Sequence, residues 1–207
     1  MQSNLVQGNL FIITAASGAG KTSLVTELLA IDSQLKLSIS HTTRQPRSGE
    51  KNCVHYHFVS EAQFLEILNA GGFLESADVH GAKYGTSKAS VDVALQAGFD
   101  VILEIDWQGA AQVHKLYPQS ISIFILPPSV ETLAERLNGR GQDSVEVIQK
   151  RLAAARAEMS HVVEFDYVTI NDTFELALQD LMAIIRASRL KSQSQLQRHA
   201  NLIQQLT

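Results

Sequence analysis

Leu10–Thr22 constrains the fold more than any other stretch, because it predicts a strand, a turn and a helix in immediate succession. Leu10–Ile13 is apolar and largely β-branched, as in a buried strand. Ala15–Gly20 consists of small residues and predicts a turn, and Lys21 and Thr22 open a helix. A helix that begins directly after such a turn presents free backbone N–H groups, which can bind phosphate.

The turn is similar to the phosphate-binding pattern GxxxxGK[ST], with one departure. Gly20, Lys21 and Thr22 match its last three positions, whereas Ala15 stands where the pattern has its first glycine. In this pattern the backbone amides surround the phosphates, the lysine reaches the β- and γ-phosphates, and the hydroxyl binds Mg²⁺. An ordinary tight turn would use similar residues, but the flanking strand and helix favour a nucleotide site. We expect alanine to be tolerated here because it is the smallest replacement for glycine.

The composition excludes several classes of protein. The chain has 207 residues, enough for one core with an appended lobe, and 17 basic against 21 acidic side chains give no positive field for nucleic acid. The single cysteine, Cys53, excludes an internal disulfide framework, and we expect it to be exposed or half-buried. No apolar run approaches the about 20 residues that span a bilayer, and a signal peptide is not recognisable. We therefore expect a cytoplasmic protein without a membrane partner.

Strands alternate with helices along most of the chain, and the strands are apolar and β-branched. This alternation predicts an α/β fold with a P-loop-type parallel sheet and helices on both of its faces. Ligands of such folds bind at the carboxyl ends of the strands, where we expect the Ala15–Gly20 turn, Asp106 and Asn171.

The chain is predicted to be a single domain with a core and two smaller parts. A polar stretch after residue 39 opens an inserted α+β lobe, and glycines near residue 140 join two helices that resemble a lid. The predicted boundaries are 1–39, 90–126 and 160–207 for the core, 40–89 for the inserted lobe and 127–159 for the helical lid.

Local patterns also predict turns and helix caps. Ser60 with Gln63 predicts a capping box at the start of a helix, and Asp172 with Glu175 predicts the cap of one long C-terminal helix. His80–Gly85 is predicted to be a turn. The C-terminal helix leaves open whether the chain forms a homo-oligomer or has a partly packed end.

Two arginines lie close together in the polar stretch after residue 39. Arg44 and Arg47 flank Pro46, so two guanidinium groups project from one stiffened loop. Such groups suit bidentate binding of phosphate. A solvated basic loop is the alternative, and the phosphate-binding turn earlier in the chain favours the phosphate site.

With these segments in view, the chain resembles the bacterial guanylate kinases, which are nucleoside-monophosphate kinases that phosphorylate GMP. The resemblance rests on segments that occur in the family's order and cover nearly the whole chain. They are ASGAGKT (16–22), SHTTRQPRSGE (40–50), HYHF (55–58), FLE (73–75), YGTS (84–87), ILEIDWQG (102–109), FILPPS (124–129), RLNGRG (136–141), KRL (150–152) and VTIND (168–172). It implies ATP-dependent conversion of GMP to GDP, with ATP and GMP as substrates, Mg²⁺ as cofactor and residues 40–89 as the GMP-binding lobe.

The resemblance also implies roles for individual residues. The implied ATP-binding residues are Ala15, Ala16, Ser17, Gly18, Ala19, Gly20, Lys21, Thr22, Ser23 and Asn171. The implied GMP-binding residues are Ser40, Glu75 and Thr86 for guanine, Arg44, Arg47, Tyr56 and Tyr84 for its phosphate, and Asp106 nearby. The implied catalytic residues are Lys21, Arg44, Arg136, Arg140 and Arg151, and the implied metal site is Thr22, with Glu104 and Asp106 acting through water. Glu104 departs from the family, which commonly has aspartate at this position.

The chemistry of guanine agrees with these roles. Three alternative functions are compared with them below. Guanine presents N1–H and its N2 amino group as adjacent donors, and one carboxylate such as Glu75 can accept from both, whereas adenine lacks this pair. A kinase for AMP, UMP or dTMP would not need Glu75 and Thr86. A non-catalytic guanylate-kinase-like binding module characteristically loses the phosphate-binding residues, yet Lys21 and Thr22 are present. A GTP-hydrolysing switch lacks support because no NKxD segment occurs.

Overall fold

The computed structural model describes residues 7–79, 81–138 and 145–207, and the side chains of 145–148 are left out of the description. Its strands are β1 (Leu10–Ala15), β2 (Leu35–Leu37), β3 (His41–Thr42), β4 (His57–Phe58), β5 (Phe73–Val79), β6 (Ala82–Ser87), β7 (Asp100–Glu104), β8 (Ile121–Leu126) and β9 (Tyr167–Ile170). Its helices are α1 (Lys21–Ile31), α2 (Glu61–Asn69), α3 (Lys88–Gln96), α4 (Trp107–Leu116), α5 (Val130–Asn138), α6 (Val145–Met159), α7 (Phe174–Arg189), α8 (Ser192–Arg198) and α9 (Ala200–Leu206). A 3₁₀ helix spans Ser160–Glu164.

The central sheet has the strand order β2-β7-β1-β8-β9 in the described part of the chain, and all of its pairings are parallel. This confirms the predicted fold class. Ile13 pairs in register with Glu104, and Ala15 pairs with Ile125. Because the strands are parallel, the segments that follow β1, β7 and β9 meet at one edge of the sheet.

Helices cover both faces of this sheet. α1 and α7 pack on one face through Leu24, Leu28 and Leu181, and α3 and α4 pack on the other through Val91 and Val113. Successive strand residues point to opposite faces, so strands buried on both sides are continuously apolar. The rigid layers therefore hold the loops at the carboxyl edge in place.

A second sheet has the order β4-β3-β6-β5 within the described residues. The turn predicted over His80–Gly85 is too long: Gly81 lies in a turn, but Ala82–Ser87 is a strand that pairs antiparallel with β5, and His80 lies outside the described residues. Gly85 packs closely against aromatic side chains and does not form a turn. A Cβ atom on it would lie 3.0 Å from Phe73 Cγ and 3.1 Å from Phe64 Cζ, so any larger residue would crowd these rings.

The C-terminal part also differs from the prediction. α7 follows Thr173, which makes no side-chain cap hydrogen bond, so the predicted cap by Asp172 and Glu175 is wrong. The helix ends at Arg189, whose guanidinium contacts Asp32 Oδ2 at 2.6 Å and Asp100 Oδ2 at 2.5 Å. This anchor holds the end of α7 against the core, and the chain continues as two shorter helices rather than one long one.

Other predictions from local patterns are confirmed. Ser60 and Gln63 form the expected capping box at the start of α2, and Cys53 is exposed. In the part of the chain that the structure describes, no helix combines the length and apolar character needed to cross a membrane.

Candidate active site

The turn between β1 and α1 has the backbone of a phosphate-binding loop. Gly18 and Gly20 have φ angles of 89° and 97°, which disfavour other residues. A Cβ atom on Gly20 would also lie 2.3 Å from the side-chain amide nitrogen of Asn171, so both conformation and space require glycine there. Gly20 is the N-cap of α1 and has no side chain to satisfy the first amides of the helix. These amides are available to an anion.

Ala15 fits this loop without strain. It is the last residue of β1 and pairs with Ile125 in the sheet. Among the described residues other than glycine, only Cys53 has a positive φ angle, so Ala15 has a backbone that any residue can adopt. The missing first glycine therefore does not distort the strand.

Lys21 and Thr22 contact the end of β7. Lys21 Nζ donates to the carbonyl oxygen of Ile105 at 3.4 Å. Burial lowers the pKa of Lys21, whereas the negative charges of Glu104, Asp106 and Glu158 act in the opposite direction. Thr22 Oγ1 donates to Glu104 Oε1 at 2.5 Å. A cation, a hydroxyl and a carboxylate thus converge beside the loop.

Glu75 lies on β5 at the other side of this edge, with 5% of its surface exposed. Thr86 Oγ1 donates to Glu75 Oε1 at 2.6 Å across the β5–β6 pair. Burial raises the pKa of Glu75 to about 7; the hydrogen bond from Thr86 opposes this, and the charge of Asp106 adds to it. The side chain of Asp106 caps α4 by accepting from Gly109 N at 2.8 Å.

The loop after β3 presents Arg44 to two tyrosines. Arg44 Nε donates to Tyr84 Oη at 3.2 Å, and its guanidinium carbon lies 5.4 Å from the centroid of the Tyr56 ring. Glu50 accepts from Arg44 Nη2 at 2.9 Å and from Arg47 N at 2.7 Å. The hydrogen bond from Arg44 lowers the pKa of Glu50 to about 2. The Arg47 side chain is exposed.

Glu50 is a residue of the arginine loop to which the sequence analysis assigned no role. It binds Arg44 and the backbone of Arg47, so it holds the arginine loop in one conformation. An acidic residue six positions from Arg44 in the same loop was the available signal, but nothing local showed that the chain would fold back.

One cavity of about 360 Å³ connects the phosphate-binding loop with the second sheet. It is lined by Ser17, Lys21, Ser40, Tyr56, Glu75, Ala77, Val79, Tyr84, Glu104, Ile105 and Asp106. A larger cleft of about 590 Å³ between α1, α7 and α8 has none of the predicted site residues in its lining. The smaller cavity therefore brings together residues of the predicted ATP site and of the predicted GMP site.

Comparison with known proteins identifies the family of this chain. Residues 7–188 match a family model described as guanylate kinase. The chain belongs to the guanylate kinase family. It is 66% identical over 201 residues to a guanylate kinase of Methylobacillus flagellatus, covering 97% of this chain and 100% of that protein. It is 57% identical over 199 residues to one of Dechloromonas aromatica, covering 96% and 98%. The crystal structure of guanylate kinase from Anaplasma phagocytophilum is similar with a TM-score of 0.74 at 31% identity, covering 90% of this chain and 89% of that chain.

The other residues suggested by the guanylate kinase resemblance are Asn171, Arg136, Ser23, Arg151 and Arg140. Asn171 Nδ2 donates to the carbonyl oxygen of Ala19 at 2.7 Å, and Asn171 O accepts from Arg136 Nη2 at 2.9 Å. Asn171 thus links the end of β9 to the loop and to α5. Ser23 is exposed in the first turn of α1, and Arg151 is partly exposed on α6. Arg140 lies outside the described residues.

Helices α5 and α6 pack directly on the phosphate-binding loop of this guanylate kinase family member. Ala16 is buried against Leu133, Leu137 and Ala155. Glu158, one turn after Ala155 on α6, accepts from Ser17 N at 3.4 Å. The sequence gives no signal for this contact, because 141 positions separate its two residues.

Proposed function

We propose that this protein transfers the γ-phosphoryl group of ATP to the phosphate of GMP, giving ADP and GDP. The proposal rests on one observation: Lys21 of the phosphate-binding loop and the buried Glu75 line the same cavity of about 360 Å³. A phosphate cradle and a carboxylate suited to guanine, facing one space, would bring the phosphates of the two nucleotides together. Membership of the guanylate kinase family supports the same reaction.

On the ATP side, the backbone amides of Ala15–Gly20 and the ammonium of Lys21 would hold the β- and γ-phosphates. Arg136, Arg140 and Arg151 would neutralise the charge on the transferring phosphoryl group. A phosphate oxygen of GMP attacks the γ-phosphorus and ADP leaves, so no side-chain nucleophile or covalent intermediate is needed. Alignment and neutralisation of charge supply the catalysis.

On the GMP side, Glu75 would accept hydrogen bonds from N1–H and the N2 amino group of guanine. Thr86 already donates to Glu75 Oε1 and would hold the carboxylate in orientation, with Ser40 beside it. The guanidinium and phenol groups of the arginine loop and its neighbours would bind the GMP phosphate: Arg44, Arg47, Tyr56 and Tyr84. We further propose that residues 40–89 act as the GMP-binding lobe and residues 127–159 as the lid.

The residues where the start of α1 meets the end of β7 fit a magnesium ion. The Thr22 hydroxyl and the Glu104 carboxylate contact each other at 2.5 Å, and both are oxygen ligands of the kind that Mg²⁺ prefers. In the described residues, no group of three His, Cys, Asp or Glu side chains could hold a metal ion, so water and phosphate would have to supply most of its ligands. We propose that Thr22 contacts the ion and that Glu104 and Asp106 contact its water shell. Bound Mg²⁺ would offset the negative charge of the ATP phosphates.

A coupled ADP-release assay tests the proposal. With ATP and Mg²⁺ present, we expect ADP release that depends on GMP and is much slower without it. A panel with AMP, UMP and dTMP tests the choice of base, and equal turnover with any of them would contradict the role of Glu75. No turnover with any monophosphate would indicate a non-catalytic binding module instead.

A further inference from the structure

A carboxylate on α6 contacts the phosphate-binding loop. Glu158 Oε2 accepts from the backbone N–H of Ser17 at 3.4 Å. Ser17 lines the cavity described above together with Lys21. The negative charge of Glu158 also acts on Lys21, where it favours the ammonium form. One carboxylate therefore faces both the amide and the cation that the loop offers to phosphate.

The packing of α6 holds Glu158 in this place. Ala155, one turn earlier, is buried against Ala16 of the loop. Shortly after Glu158, the ring of His161 stacks on Trp107 with ring centroids 3.5 Å apart and planes inclined by 7°. Contacts on both sides thus position the segment, and the Glu158 side chain reaches the loop from a supported backbone.

The carboxylate and a nucleotide phosphate cannot use the same amide at the same time. Ser17 has one backbone N–H, and a phosphate oxygen bound to it would meet the negative charge of Glu158 at close range. Like charges repel most strongly where water is partly excluded. A nucleotide phosphate that used this amide would therefore displace Glu158 from Ser17.

We propose that Glu158 is a competitor for the phosphate-binding loop, which weakens ATP and ADP binding until their phosphates displace it. The inference rests on the proposed function for the identity of the nucleotide. It makes Glu158 a determinant of nucleotide affinity rather than a catalytic residue.

Titrations of ADP and pyrophosphate by calorimetry test this proposal with Glu158→Gln and Glu158→Ala. Removing one partly exposed, charge-assisted contact should lower the dissociation constants of both ligands by about three- to tenfold. The dissociation constant of GMP should stay unchanged, because GMP does not bind the loop. Glu158→Asp keeps the charge and should bind ADP less tightly than Glu158→Gln does.

Glu135→Gln is the matched control, since it removes one negative charge from an exposed position on neighbouring α5. We expect no change in its ADP dissociation constant. Unchanged or weaker ADP binding in both Glu158 variants would overturn the proposal, as would an equal change in GMP binding. A fall in kcat at saturating ATP with no change in ADP affinity would also overturn it. These binding measurements do not require turnover, so a failed ADP-release assay would count against the proposed reaction alone.

Discussion

Glu75→Gln tests both the stability of this protein and the proposed role of Glu75 in binding guanine. The pKa of Glu75 is raised from an ordinary 4.5 to about 7, with burial as the largest cause. At about 1.4 kcal/mol per pH unit, this difference lowers the free energy of unfolding by about 3 kcal/mol once the carboxyl is ionised in both states. Glutamine keeps the shape and can accept from Thr86, but it has no proton to lose. We therefore expect the variant to be more stable than the wild type at alkaline pH.

The sign of the pH dependence follows from the raised pKa. The folded protein binds the proton of Glu75 more tightly than the unfolded chain does. The stabilisation is complete below pH about 4.5 and is lost as the pH rises through about 7. Between pH 5 and pH 8, Glu75→Gln should gain about 2.5 kcal/mol relative to the wild type.

Urea unfolding at pH 5 and pH 8 measures this gain, with the fluorescence of Trp107 as the signal, since it is the single tryptophan. Glu66→Gln removes an exposed carboxyl from α2 and is the matched control. An equal difference in unfolding free energy between Glu75→Gln and the wild type at both pH values would refute the reasoning.

Glu75→Gln should also bind GMP about 100-fold more weakly than the wild type, because an amide cannot accept from both guanine donors. Its ATP affinity should not change.

Three further substitutions test the substrate sites. Lys21→Ala should lower kcat by at least about 100-fold while the circular dichroism spectrum is retained, and near-normal turnover would contradict the phosphate-binding role. Arg47→Ala should raise the KM for GMP about tenfold without changing the KM for ATP, and an unchanged KM for GMP would remove Arg47 from the clamp. Ala15→Gly should lower the free energy of unfolding by about 0.5–1 kcal/mol, measured in urea, because β1 accommodates alanine without strain. A markedly lower KM for ATP in Ala15→Gly would show that alanine distorts the loop.

The sequence predicted the features that depend on neighbouring residues. The strand over Leu10–Ile13, the glycine-rich turn and the start of α1 follow from residues next to one another in the chain. The capping box of Ser60 and Gln63 requires only a spacing of three. Burial on both faces gave the strands of the parallel sheet a continuous apolar pattern, so the fold class could be recognised as well.

Where local patterns were ambiguous, packing decided the outcome. Gly85 was expected in a turn, yet it lies in a strand, where the close rings of Phe64 and Phe73 favour glycine. Asp172 was expected to cap α7, yet this helix begins without a side-chain cap. Glycine and aspartate each suit several backbone environments, and the neighbours that select one of them are distant in sequence.

The candidate site also combines features predicted from the sequence with contacts that only the tertiary structure shows. The sequence alone determined that the chain has a glycine-rich turn between a strand and a helix and two close arginines, and the family resemblance predicted a carboxylate for guanine. Only the tertiary structure placed Lys21 and Glu75 on one cavity, Asn171 on the carbonyl of Ala19 and Glu158 on the amide of Ser17. The last two contacts join residues 152 and 141 positions apart. Such contacts depend on how helices pack around the sheet. Short-range patterns in the sequence carry no information about which distant residues this packing brings together.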